Sequence, residues 1–154
     1  MKTVFFIVLI LMASGFTSAQ TKIFSGNSTN YSECLYTIKG DKIYNGNSTN
    51  VSGCKFNIHS DKVYRGTSYN SSDCLFTIRG EKIYRGNSAN SSDCLYTMKG
   101  RKIYSGNSTN YSDCLLTIAG HKVFRGNSTN VSDCLATVEG IVKYSVIAVL
   151  LGPY

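Results

Sequence analysis

An all-β fold, a closed and propeller-like array of about six β-hairpin repeats, is what this sequence of 154 residues predicts. Three observations carry the prediction. A unit of twenty residues recurs six times without insertion, each unit sets a Gly-polar turn signal between two short β-forming runs, and the repeat is offset so that half a hairpin is left over at each end. A fixed period of this kind marks a solenoid, propeller or closed array, in which each unit buries its apolar face against its neighbours.

Residues 1–19 stand apart from the repeat. Lys2 gives a positive start, Val4 to Met12 are all apolar, and Thr17-Ser18-Ala19 supplies small residues before Gln20. That is the layout of a secretory signal peptide cut after Ala19, and the apolar run is shorter than the ~20 residues a membrane-spanning helix needs. The expected domains are therefore a leader over 1–19, a six-repeat β domain over 20–140, and a degenerate segment over 141–154. Loss of Lys2 with the leader leaves 15 basic against 9 acidic residues, a net charge of +6. Such a charge suits an anionic partner, but the Lys and Arg residues recur beside the turns, where they keep strand edges soluble. No nucleic-acid partner and no transmembrane span in the mature chain are expected.

Within a unit, Cys74-Leu75-Phe76-Thr77-Ile78 and Lys82-Ile83-Tyr84-Arg85 flank Arg79-Gly80-Glu81. The runs are rich in aromatic and β-branched residues and lack helical spacing, so they read as strands. Gly then a polar residue predicts a two-residue type II′ turn, with Gly at positive φ. Ser60 replaces that Gly in one unit, which implies strain or a different turn. This turn sets Ile78 opposite Ile83 and Thr77 opposite Tyr84. It also places Cys74, Phe76, Ile78 and Ile83 on one face, with Leu75, Thr77 and Tyr84 on the other.

Between hairpins runs a polar stretch such as Gly106-Asn107-Ser108-Thr109-Asn110-Tyr111-Ser112-Asp113. Asn, Ser and Asp side chains bond nearby backbone, so this is a loop that reverses into the next hairpin. Five hairpins are continuous in sequence. The strands begun by Lys22 and Cys134 lack partners, and their pairing would close a ring of six and remove the exposed edges. The alternative is a β-solenoid with twenty-residue coils stacked about 4.8 Å apart. After Gly140 the repeat decays, and 141–154 reads as a cap over one end of the core, or else as a docking tail.

A leader, short hairpins turning on Gly-polar, and Asn-Ser-Thr-rich connectors together resemble the bacterial secreted five-fold beta-flower proteins, whose petals are hairpins round an axis. The resemblance covers most of residues 21–140. It implies a small, closed, flower-like secreted module with no catalytic residues to carry over.

Cys34, Cys54, Cys74, Cys94, Cys114 and Cys134 share one repeat position. They read as small buried residues, as disulfides between neighbouring units, or as a metal-binding thiolate cluster, although no CxxC or Cys/His spacing accompanies them. His59 and His121 sit at hairpin tips as turn residues. No P-loop, dinucleotide fingerprint or HExxH motif is present, and no cofactor is expected. The connectors offer a candidate ligand rim: Asn30, Tyr31, Asn50, Asn70, Asn90, Asn110, Tyr111 and Asn130. Amides and hydroxyls beside an aromatic ring suit sugar hydroxyls and a sugar face, and repetition adds avidity. The bland reading is that these side chains only satisfy loop backbone. Sequons such as Asn27-Ser28-Thr29 are read as by-products of turn chemistry.

The expected function is a non-enzymatic structural or binding module, secreted, periplasmic or on the cell envelope. The sharper alternative is multivalent binding of a cell-surface or extracellular glycan. The competing class is a cysteine-based redox or metal-binding protein.

Overall fold

A computed structural model describes residues 19–153, so the expected leader lies, but for Ala19, outside the described residues. Twelve short strands follow in order: β1 (Thr21–Ser25), β2 (Cys34–Lys39), β3 (Lys42–Asn45), β4 (Cys54–His59), β5 (Lys62–Arg65), β6 (Cys74–Arg79), β7 (Lys82–Arg85), β8 (Cys94–Lys99), β9 (Lys102–Ser105), β10 (Cys114–Ala119), β11 (Lys122–Arg125) and β12 (Cys134–Glu139). They form a closed barrel in which every neighbouring pair is antiparallel. Stacked solenoid coils would need parallel neighbours, so that alternative does not hold. The seam is the expected one: β1 pairs with β12, with Ile23 opposite Val138 and Phe24 opposite Thr137. Among the described residues no free strand edge remains.

The hairpins turn on two residues, as Lys39 opposite Lys42 requires. Gly40 takes φ +58, and Ser60 keeps the same turn at φ +54, with His59 opposite Lys62. Ser60 thus adopts the left-handed conformation rather than changing the turn, at a cost of about 1–2 kcal/mol for an L-residue. Ser60→Gly is expected to stabilise the protein by about 0.5–1 kcal/mol, because glycine relieves the strain but loses more chain entropy on folding. Denaturant unfolding checks this, and a midpoint unchanged or lowered would show that Ser60 is unstrained.

The face assignment of the strands needs one correction. Ile78 does sit opposite Ile83 and Thr77 opposite Tyr84. On the other side, however, Val63 pairs with Phe76 and Tyr64 with Cys74, so Leu75 is an extra residue in a β-bulge. A bulge inserts one residue and exchanges the faces beyond it. Leu75 therefore packs against the core, while the Cys74 thiol lies 4.0 Å from the Thr77 hydroxyl on the outer face.

The lumen is lined by rings of equivalent residues. Ile23, Ile43, Val63, Ile83, Ile103 and Val123 are at most 1 % exposed and form the tightest ring. Within the segment expected to cap the core, residues 144–151 lie inside it rather than over it. Tyr144–Leu151 form a helix, α1, and Ser145 to Leu150 are all buried in succession. Six consecutive residues point in every direction round a helix, so α1 is enclosed on all sides. Its apolar residues belong to the same core cluster as the strand residues, and beyond its end the Tyr96 hydroxyl donates to the Pro153 carbonyl at 2.8 Å.

Barrel geometry explains why a helix belongs there. With strands about 4.8 Å apart and tilted about 40°, twelve strands enclose a radius of about 12 Å, against about 8 Å for eight-stranded barrels that side chains alone can fill. The additional radius of about 4 Å accommodates a helix backbone, whose Cα cylinder is about 2.3 Å in radius. One helix cannot match six equal walls. The second lining ring is graded accordingly, from Phe56, Phe76 and Tyr96 to Leu116 and Ala136.

Candidate functional site

Each connector leaves the barrel at a glycine with positive φ, such as Gly46 at +65. It folds back over the outer sheet face and re-enters through a three-residue 3-10 turn, as at Tyr111–Asp113. Hydroxyls and amides hold it. Ser108 Oγ accepts from the Asn110 backbone N–H at 3.0 Å and donates to Asp113 Oδ2 at 2.5 Å. The outer threonines secure its start: Thr97 and Thr117 donate to the carbonyls of Gly106 and Gly126 at 2.7 and 2.6 Å.

A second set of bonds joins neighbouring connectors into a belt. Lys82 Nζ donates to Asn107 Oδ1 at 2.6 Å, and Asn107 Nδ2 donates to the Ser91 carbonyl at 2.8 Å. Lys102 holds Asn127 at 2.8 Å, Lys22 holds Asn47, and Lys122 holds Asn27 at 2.7 Å, so the belt also crosses the seam between the chain ends. These lysines are fasteners of the fold as well as surface charge.

The predicted rim residues divide from these structural ones. Asn30, Asn50, Asn70, Asn90, Asn110 and Asn130 each precede a 3-10 turn, and none makes a side-chain capping bond. All six are exposed, with only their backbone groups bonded locally. The loop backbone is satisfied by the Ser28-type hydroxyls and the Asn27-type amides instead. The six amides stand one per connector round the ring rather than converging on one pocket. Beside them Tyr31 and Tyr111 are 59 % and 75 % exposed, and Val51 and Val131 occupy the same position elsewhere. Lys22 and Lys102 lie 5.3 and 5.4 Å from the Tyr31 and Tyr111 ring centroids, which holds those rings by cation–π attraction.

The six cysteines begin alternate strands on the outer face, beneath the connectors, and all are free thiols. The Cys94 thiol, for example, donates to the carbonyls of Tyr96 at 3.5 Å and Gly106 at 3.3 Å. Neighbouring cysteines are separated by one intervening strand, hence by about 9–10 Å. A disulfide needs Cα atoms within about 7 Å. The expected alternative of bridges between neighbouring units is therefore not built. Among the described residues no group of three His, Cys or acidic side chains is placed to hold a metal ion. Burial pushes the Cys54 thiol above its usual pKa, opposed in part by the Lys42 ammonium and a backbone bond from Ile43. That direction disfavours the reactive thiolate.

What the repeat concealed is its own departure from symmetry. Asn57 stands where other units have Thr, fully buried, and its Oδ1 has no partner, an omission that costs about 1–3 kcal/mol. Next to it a cleft of about 570 Å³ is lined by His59, Ser60, Asp61, Lys62, Tyr64, Thr77, Arg79 and Gly80. The signal was available in the aligned units as His59, Thr67 and Tyr69, each unlike its equivalents.

No curated protein and no solved structure matches the chain. The sequence profile described as 6-fold beta flower protein matches residues 15–97 and, in a second overlapping register, 54–146. Matches displaced along the chain are what a repeat in register with itself produces, and together they span all twelve strands. The six hairpins closed at the β1–β12 seam and the six-fold symmetry of the profile agree, so the chain belongs to the 6-fold beta flower protein family.

Proposed function

We propose that this protein is a non-catalytic, exported binding module that holds glycans on its ring of connectors, at the cell envelope or outside it. The observation that carries the reading is the set of six exposed Asn amides that the fold leaves unbonded. A free amide offers two donors and an acceptor, which is the chemistry of sugar-hydroxyl recognition, and Tyr31 and Tyr111 offer rings to stack on a sugar face. The apolar run at the amino terminus supports export. Two observations favour this reading over thiol chemistry: the cysteines lie beneath the connectors, and the Cys54 thiol is shifted away from ionisation. Fastening of four lysines to asparagines argues against a basic surface built for nucleic acid.

Six weak sites on one rigid ring gain avidity of about 10²–10⁴ over a single site. A glycan array probed with the full mature chain is expected to show binding to dense immobilised glycans, with little binding of free monosaccharide. Asn110→Ala alone is expected to reduce the signal less than two-fold. Replacing all six rim asparagines by Ala is expected to abolish it while the folded spectrum persists. An array blank at high protein concentration removes the proposal.

A further inference from the structure

Comparing the six units within the folded ring isolates one place that the symmetry does not explain. Lys22, Lys82, Lys102 and Lys122 each fasten an asparagine on the connector twenty-five residues ahead. Lys42 has no asparagine to fasten, since Thr67 stands at that position, and Lys62 makes no bond to Asn87, which donates to the Ser71 hydroxyl at 3.1 Å as Asn107 does to that of Ser91. Lys62 lines a cleft together with Arg79, His59 and the carboxylate of Asp61. No ion pair among the described residues neutralises Lys62 or Arg79.

The same place carries an aromatic residue at a repeat position where no other unit has one. Tyr69 stands where the other units have Thr or Ala. It is 58 % exposed, its ring meets His59 edge-on at 5.4 Å, and it lies 6.3 Å from Tyr64, which forms the cleft wall. Opposite Tyr64 in the sheet is Asn57, with its buried and unpartnered carbonyl oxygen. The divergent residues Asn57, His59 and Tyr69 thus gather with the unfastened Lys62 at the junction of the second and third hairpins. An aromatic platform, a Lys–Arg pair with charge to spare and a polar wall fit a ring-shaped ligand bearing a carboxylate.

We propose that this cleft is a single acidic-sugar site, taking a uronate residue with its carboxylate on Lys62 and Arg79 and its ring against Tyr69. The site rests on the glycan reading for its ligand class only; its position and charge preference are independent of the rim. It makes the ring asymmetric in function, with one charged anchor among six neutral contacts.

Titration calorimetry of the mature chain with oligogalacturonate is the test, with a neutral gluco-oligosaccharide of equal length and acetate as comparisons. One site per chain is expected, weakened at least five-fold between 50 and 200 mM salt. Tyr69→Thr restores the residue of the other units and leaves the fold intact, and Lys62→Gln removes the charge; each is expected to weaken uronate binding about ten-fold or more. Six equivalent sites, or affinity unchanged in both variants, overturns the assignment. Competition by acetate at the same concentration as the oligomer also overturns it, since a bare anion site needs no sugar. Loss of uronate binding in Tyr69→Thr with glycan-array binding retained separates the cleft from the rim. If the array is blank while uronate binds once per chain, the rim reading fails and the cleft stands.

Discussion

Ile147→Asp is expected to unfold the protein or to drive α1 out of the barrel. Ile147 is 2 % exposed, enclosed among strand residues from round the ring. The core cluster around it is apolar, and a carboxylate buried in such a place costs several kcal/mol even after its pKa adjusts. Domains of this size are stable by only about 5–15 kcal/mol. Nor can the segment slide to relieve the charge. A Cβ on Gly152 would meet the Ala148 carbonyl at 2.5 Å and the Tyr96 ring at 2.6 Å, so the helix exit is as tightly fitted as its body. Ile147→Ala, which only removes contacts, is expected to cost about 2–5 kcal/mol. Urea unfolding and hydrogen exchange of the α1 amides measure both. An Asp variant within about 1 kcal/mol of the parent would mean that α1 is an accessory rather than part of the core.

The difference between the strands and α1 shows what was legible in the sequence. The hairpins could be read because their determinants are local: Gly40 before Asp41 sets a turn, and the turn sets Ile38 opposite Ile43. Closure could be read because it is a matter of counting, with the strands at Lys22 and Cys134 each lacking a partner. The bulge could not, since Leu75 and Cys74 alternate like any strand residues and only the connector passing over Cys74 decides which turns inward. The position of α1 was hidden for a similar reason. Val146 to Leu151 is apolar without periodicity, which fits a helix buried all round, and nothing in that run says whether it lies over a barrel or within it. At the candidate sites, residue type identified the rim asparagines but not their freedom. Asn27 and Asn30 belong to the same motif, yet one is bonded across the ring and the other is unbonded. The cleft was obscured by the strength of the repeat itself: His59 read as a turn residue, and only the fold brings it together with Tyr69 beside Lys62 and Arg79.

Excising one whole unit tests whether the helix and the six-fold count require one another. Removal of residues 101–120 joins Gly100 to His121 and recreates a Gly-polar turn before Lys122, so local structure has every reason to persist. The seam between β1 and β12 is equally unaffected, and a ring of ten strands can close. Its radius, however, falls by about 2 Å, from about 12 to about 10 Å, at the same strand spacing and tilt. Interiors are packed near crystal density and do not absorb a change of that size. Since Ser145 to Leu150 already touch wall on every side, α1 is expected to be expelled, leaving a five-hairpin barrel whose side chains alone fill the lumen. Limited proteolysis with mass spectrometry reads this directly: the parent should keep residues 144–151 protected, and the shortened chain should lose them first. Retention of the protected helix, with stability within about 1 kcal/mol of the parent, would show that the barrel adapts and that repeat number is free of the helix. Expulsion would mean that six hairpins are the count at which this ring holds one helix, which ties the family's symmetry to a segment that carries none of its repeat.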